Sequence, residues 1–386
     1  MVLMKISSVS ASAILDSRKE KTILVCIKTD VGSFSASSPT GKSTGKHEAK
    51  PYKKSLEEDI KKLKEFSDYF SDEEFTCFDC LEKIEEVLDR QVGANTMFAL
   101  ESAVLKAIAH EKKCEVWELI DSEAKKIPYL VGNVIGGGKH SSSERKPDFQ
   151  EFLLISKDWK ILKEAKAETE ELLKKIDNDF KSKKNDENAW ITSVNEKIVL
   201  DILYHLKKKF KIQIGLDVAA SSFYKRKKYH YLNPKLDRDG EEQFGYVSNL
   251  VKNYEIFYIE DGFGEEEFED FAKLSKKFPE RLIVGDDLTT TNLKRLEKVI
   301  EKKSINGIIV KPNQIGSLIE VKKVCELARK HKIKIVFSHR SGETEENILA
   351  DLGFSFGADF FKCGIDGRER EKKLERLREI ERKFTR

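Results

Sequence analysis

The chain has 386 residues, more than one ordinary domain needs, so a large domain with a smaller companion is the natural partition. Charged residues make up 36% of it while the net charge is only +3; this mixed-sign surface argues against a nucleic-acid binder, which carries a one-sided basic excess. No apolar run approaches the roughly 18 residues of a membrane span and the opening residues carry no secretory pattern, so a soluble, cytoplasmic protein with no membrane partner is expected.

The expected fold class is α/β, in two units: an N-terminal α+β domain over residues 1–127 and a β/α barrel over 128–386. Residues 5–15, 22–29 and 32–37 read as a three-stranded antiparallel meander. Its middle run, Thr22-Ile-Leu-Val-Cys-Ile27, is β-branched and apolar, and Asp30-Val-Gly32 supplies a turn. The period then becomes helical over 56–66, 80–88 and 94–110, the last small and apolar enough to be buried. Cys77-Phe-Asp-Cys80 is a lone CxxC with no second pair at zinc-ribbon spacing, and the six scattered cysteines read as reduced thiols. Pro128 and Gly136-Gly-Gly138 mark the passage to the second unit. There, 149–155 reads as the first barrel strand, 159–180 and 194–209 as helices, 181–188 as a polar loop and 224–243 as an inserted surface hairpin.

From residue 212 one unit repeats: a short apolar run, an ionisable residue at its end, then a helical stretch. The runs end at or carry Asp217, Glu260, Asp286, Lys311, His339 and Lys362, with successive intervals of 23–28 residues after Glu260. Strands that each finish in a charged group at this spacing describe the catalytic face of a parallel barrel, where the C-terminal strand ends converge. Three hard carboxylates, Asp217, Glu260 and Asp286, suit Mg²⁺ better than zinc. Lys311 follows Gly307-Ile-Ile-Val310, so burial and a neighbouring cation such as Lys362 are expected to lower its pKa and make it a base.

With these residues in place, the chain resembles enolase from end to end. The resemblance rests on Ile14-Leu-Asp-Ser-Arg18, Ser43-Thr-Gly45, Gln150-Glu-Phe152, Gly215-Leu-Asp217 and Ile259-Glu-Asp261. It continues through Asp286-Asp-Leu-Thr289, Lys311-Pro-Asn-Gln-Ile-Gly316, Ser338-His-Arg-Ser-Gly-Glu-Thr-Glu345 and Lys362-Cys-Gly364, and it is nearest the archaeal branch. It implies an enolase-type barrel and a Mg²⁺-dependent dehydration of 2-phospho-D-glycerate to phosphoenolpyruvate in glycolysis and gluconeogenesis. Two Mg²⁺ per site are implied, with Asp217, Glu260 and Asp286 holding the first and Ser43, on a closing loop, serving the second. Lys311 is implied as base, Glu187 in Asn185-Asp-Glu-Asn188 as acid, and Lys362 as positive charge facing the substrate carboxylate. Glu151 and His140 are implied beside the leaving group, Arg340 and Ser341 on the phosphate, and His339 completing the pocket. A phosphorylated small molecule is thus the expected partner, together with a homodimer or larger homo-oligomer.

The sequence departs from the family in its loops. Lys19-Glu-Lys21 replaces a Gly-Asn-Pro turn, Lys42 stands where a small residue is typical, and the turn around Glu187 has exchanged glycines for Asn185 and Asn188. Asparagine tolerates the left-handed conformation, so that turn is expected to survive. Two other readings accompany these changes: a different acid dehydratase of the superfamily, and a non-catalytic relative acting as a binding or scaffold protein.

Overall fold

The computed structural model describes residues 4–42, 45–70 and 73–384. Strands β1 (Met4–Leu15), β2 (Lys21–Thr29) and β3 (Gly32–Ser37) form the antiparallel meander, and a short β4 (Glu74–Phe75) extends it beyond β1. Ile23, Val25 and Ile27 of β2 are fully buried on one face, the period-2 signature of a sheet covered on one side. Lys19 takes a positive φ of 63° in the first hairpin turn, where the Asp16 carboxylate accepts from the N–H groups of Arg18 (2.8 Å) and Glu20 (2.9 Å). A side-chain clamp has taken over from the glycine.

Helix α1 (Leu56–Phe66) begins at Ser55, whose hydroxyl accepts from the Glu58 N–H, a standard N-cap. After a 3₁₀ turn at Phe78–Leu81, α2 (Glu82–Leu88) leads to α3 (Ala94–Lys112), which is buried along most of its length against β2 and β3, and then to α4 (Val116–Ile120). The α3 N-cap is Gly93 and contributes no side chain. Asp59 of α1 fills that role, accepting from the Gly93 N–H and the Thr96 hydroxyl, each at 2.7 Å, while fully buried. Asp59→Ala leaves those donors unsatisfied, and an expected loss of about 1–3 kcal/mol should appear as a lower urea midpoint at unchanged slope.

The second unit is a closed eight-stranded barrel: β5 (Tyr129–Gly136), β6 (Glu151–Ser156), β8 (Gln213–Asp217), β12 (Tyr258–Glu260), β13 (Leu282–Gly285), β14 (Gly307–Val310), β15 (Lys334–Ser338) and β16 (Phe360–Lys362), closed by β16 pairing with β5. Between these lie α5 (Trp159–Ile176), β7 (Trp190–Ile191) beside the end of β5, and α6 (Glu196–Phe210). The sheet β9 (Tyr224–Lys225), β10 (Lys228–Leu232), β11 (Lys235–Arg238) follows β8, and the outer layer is completed by α7 (Gly240–Asn253), α8 (Phe268–Lys277), α9 (Leu293–Lys302), α10 (Leu318–Lys330), α11 (Ile348–Ser355) and α12 (Arg368–Arg382). Val131, Leu153, Tyr258, Val284, Ile309 and Val336 belong to one compact apolar cluster of strand residues, and the larger core lies between strands and helices.

The first barrel strand is Tyr129–Gly136, which corrects the expectation that the barrel starts at 149–155. Its two glycines make it look like a linker, yet a side chain at Gly132 would collide with Ile365 (2.4 Å) and one at Gly136 with Asn185 (2.2 Å). The second strand, β6, runs antiparallel to both neighbours. Helix α5 stops at Ile176, four residues before the expected end, because the Asp177 carboxylate is engaged by the Ser193 N–H and hydroxyl and the Thr192 hydroxyl, which all donate to it. The insertion expected as a surface hairpin is a three-stranded meander with Tyr229 and Tyr231 buried.

Candidate active site

Every repeat strand delivers its ionisable residue to one face. Asp217, Glu260 and Lys362 are the last residues of β8, β12 and β16, while Asp286, Lys311 and His339 follow β13, β14 and β15 directly. Glu151 reaches the same face from the opposite direction: β6 is reversed, so its first residue pairs with Asp217, the last of β8.

Lys362 is the centre of the cluster. Its ammonium donates to Asp217 (3.1 Å) and to both oxygens of Glu260 (2.8 and 2.9 Å), and lies 3.0 Å from Glu151. Lys311 donates to Asp286, whose other oxygen accepts from Gln314 at 3.2 Å. Four buried carboxylates thus face two ammonium groups. The imbalance registers in the acids. Burial pushes Asp217 up, Lys362 pulls against it, and Glu151 and Asp286 add repulsion, leaving it raised. Glu260 is held well above the ordinary range by burial and then Asp217.

Lys311 corrects an expectation. Burial lowers its pKa, as do Arg340 and Lys362, but Asp286 with Glu260 outweighs them and the ammonium is held above its ordinary value. Sequence reasoning located the neighbouring cations and overlooked the closer carboxylate. Burial also opposes the charge on Lys362, but Asp217, Glu151 and Glu260 raise it well above the usual range.

On the other side of the cavity His140 Nδ1 lies 3.4 Å from Glu151 and 3.6 Å from Glu187, and His339 Nε2 lies 3.8 Å from Glu187. Asn133 donates to Glu187 at 2.9 Å. Burial works against both charges of the His140–Glu187 pair. Even so, Glu187, Glu151 and Asp217 leave His140 raised, and His140, Asn133, Arg370 and Lys362 leave Glu187 lowered. Burial and Arg370 push His339 well below its ordinary value, so it is neutral.

The turn that presents Glu187 shows how asparagine replaces glycine. The Asn185 side chain accepts from the N–H groups of Glu187 (3.0 Å) and Ala189 (2.9 Å), Asn188 adopts φ +62°, and the Lys166 ammonium donates to the Asn188 carbonyl. Asn185→Ala removes the one oxygen that accepts both hydrogen bonds, and a fall in kcat of about 10–100-fold with little change in KM is expected from the displaced carboxyl. The extended loop after His140 is anchored too, by Asp148 accepting from the N–H groups of Leu232 (2.8 Å) and Asn233 (2.9 Å).

Arg340 donates to Glu48 (2.9 and 3.2 Å) and Asn313 (3.1 Å). Gly41 passes so close to it that a Cβ would sit 2.0 Å from the guanidinium. The Ser341 hydroxyl accepts from the Lys42 N–H at 2.8 Å, while the Lys42 ammonium pairs with Asp186 at 3.0 Å, beside Glu187. Ser43 lies outside the described residues.

One cavity is therefore walled by Lys311, Lys362, Asp217, Asp286, Glu151, Glu187, His140, His339, Arg340 and Ser341. Glu260 stands behind it, covered by Lys362 and by the Tyr258 hydroxyl at 2.6 Å. Sequence reasoning missed Asp261, whose carboxylate accepts from the N–H groups of Asp286 (3.0 Å) and Asp287 (2.7 Å), and Gln150, which donates to Asp217 (3.3 Å). The doubled acids of Glu260-Asp261 and Asp286-Asp287 were the available signal. A divalent cation fits this chemistry: oxygens of Asp261, Asp286 and Asp287 lie within 4.8 Å of one another, the buried acids outnumber the lysines, and their oxygens are hard donors. In the cavity wall Gln150 Oε1 and His339 Nδ1 are buried with no hydrogen-bond partner among the described residues, as expected of a wall that receives a polar ligand.

Comparison with known proteins agrees with this architecture. Residues 6–120 match the family model "Enolase, N-terminal domain" and residues 124–386 match "Enolase, C-terminal TIM barrel domain". The chain is 34% identical to an enolase of Pyrobaculum aerophilum, with 93% of this chain and 90% of that protein covered. It is also 34% identical to enolases of Saccharolobus solfataricus and Sulfurisphaera tokodaii, with 98% of this chain and 96% of each covered. With both units matched and the strand-end cluster assembled, the chain belongs to the enolase family and is a lyase of the phosphopyruvate hydratase type.

Proposed function

We propose that the protein converts 2-phospho-D-glycerate to phosphoenolpyruvate and water in glycolysis and gluconeogenesis, with Lys311 as base, Glu187 as acid and Mg²⁺ as cofactor. The observation that carries this reading is the convergence of two lysines, the carboxylates, the His140–Glu187 pair and Arg340 on one buried cavity. Mg²⁺, held by Asp217, Glu260 and Asp286 with a second ion served by Ser43, would supply positive charge against the substrate carboxylate and absorb the charge of Asp286.

Were the charges of Asp286 and Glu260 both taken up by the ion, burial, Arg340 and Lys362 would be left to push the Lys311 ammonium down toward a neutral amine. The amine takes the C2 proton, and Lys362 faces the charge that develops on the carboxylate. The C3–O bond then breaks, and hydroxide leaves as water with a proton from the Glu187–His140 pair. Glu151, 3.4 Å from His140, keeps that imidazole oriented. Arg340 and Ser341 receive the phosphate, the guanidinium matching its paired oxygens.

A cytoplasmic setting, a homodimer or larger homo-oligomer and a division into units 1–127 and 128–386 belong to the same reading. The test is direct. Purified protein is given 2-phosphoglycerate and the ultraviolet absorbance of the enol product is followed with Mg²⁺, with EDTA, and with Mg²⁺ restored. Turnover that vanishes with EDTA and returns with the metal is expected; no turnover with Mg²⁺, or turnover indifferent to EDTA, overturns the proposal.

A further inference from the structure

Outside the residues that wall the cavity, Cys77 and Cys80 bring their sulfurs to 2.9 Å as free thiols. The turn that carries them is rigidly mounted. Phe78 is buried edge-on against Phe356 with centroids 5.9 Å apart, Asp79 pairs with Lys322 of α10 at 2.8 Å, and the Cys80 N–H donates to the Cys77 carbonyl at 3.3 Å. The backbone thus fixes the two thiols against each other while leaving Cys77 exposed and Cys80 half-exposed. A disulfide needs about 2.05 Å between sulfurs, so closure asks for a movement of about 1 Å, within reach of side-chain rotation.

We propose that Cys77 and Cys80 form a dithiol site that reacts with low-molecular-weight disulfides and closes to an intramolecular disulfide. The Cys80 thiolate attacks one sulfur of the small disulfide, forming a mixed disulfide and expelling the first thiolate. The Cys77 thiolate then attacks the Cys80 sulfur, forming the 77–80 bond and expelling the second. Two electrons pass to the small disulfide, and the two protein protons end on the released thiols.

The surroundings divide the roles. Partial burial opposes the Cys80 thiolate, but the Cys77 thiol and Thr76, whose hydroxyl lies 3.6 Å away, outweigh it and lower Cys80. Burial and the contact with Cys80 raise Cys77. Three of the other four cysteines are poor competitors: burial pushes Cys325 and Cys363 up to about 12 and also raises Cys114, and the thiolate is the nucleophile. A metal role fits less well, since Asp79 is committed to Lys322 and no metal-ligand cluster among the described residues includes these sulfurs.

The experiment exposes the full-length protein to glutathione disulfide and reads intact mass and peptide maps over time. Wild type is expected to lose the mass of two hydrogens, to map a 77–80 linkage and to accumulate no lasting adduct. Cys77→Ser should trap a stable glutathione adduct on Cys80, and Cys80→Ser should slow the first step about tenfold or more relative to Cys77→Ser. Lasting adducts without a 77–80 bond in wild type overturn the proposal, as do Cys80→Ser kinetics equal to those of Cys77→Ser. The readout is independent of turnover, so it stands apart from the fate of the dehydratase reading.

Discussion

Lys311→Ala is expected to lose about 10³-fold or more in turnover, the upper range for removing a positioned base. The distinguishing result is isotopic. If Lys311 takes the C2 proton, the variant also stops exchanging that position with deuterium from solvent. Glu187→Gln should be similarly slow in forming the enol, yet continue the exchange, because in the proposed sequence bond breaking at C3 follows proton removal. Equal loss of exchange in both variants would sink the division of labour proposed for these residues. Retained exchange in Lys311→Ala would move the base elsewhere in the cavity.

Lys362→Met should be felt in the fold as well as the chemistry. The ammonium holds Asp217 and both oxygens of Glu260, with Glu151 at 3.0 Å, all deeply buried. Removing one member of a buried ionic cluster leaves uncompensated charge and costs about 3–5 kcal/mol. The acids relieve part of this by taking up protons, the direction in which burial and mutual repulsion already push Asp217 and Glu260. Turnover should fall by roughly 10²–10³, the size of a lost transition-state charge contact. Added Mg²⁺ should raise the melting temperature of the variant more than that of wild type. Wild-type turnover in Lys362→Met would remove this lysine from the mechanism.

Much of this site is legible in the sequence because a short barrel strand leaves one position at its rim, and an ionisable residue placed there faces the shared mouth of the barrel. Asp217, Glu260, Asp286, Lys311, His339 and Lys362 all stand out on that ground. What stays hidden has physical causes. The opening strand Tyr129–Gly136 is concealed by Gly132 and Gly136, which pattern reading treats as punctuation but which the packing of Ile365 and Asn185 requires. Gln150 carries no periodic signature, because only the pairing of β6 with β8 brings it to Asp217. The raised state of Lys311 depends on a 25-residue separation in sequence collapsing to contact with Asp286, which composition alone does not weigh.

The seam of the barrel lies between β16 and β5, and β16 is the three-residue strand that carries Lys362. Asp217 and Glu260 precede that lysine by 145 and 102 residues. On the ribosome both acids therefore emerge well before their counter-charge, and the cylinder cannot shut until the same short segment arrives. Ring closure and charge neutralisation become a single late event of biosynthesis, so a chain released before it would lack the closed wall and the cation together.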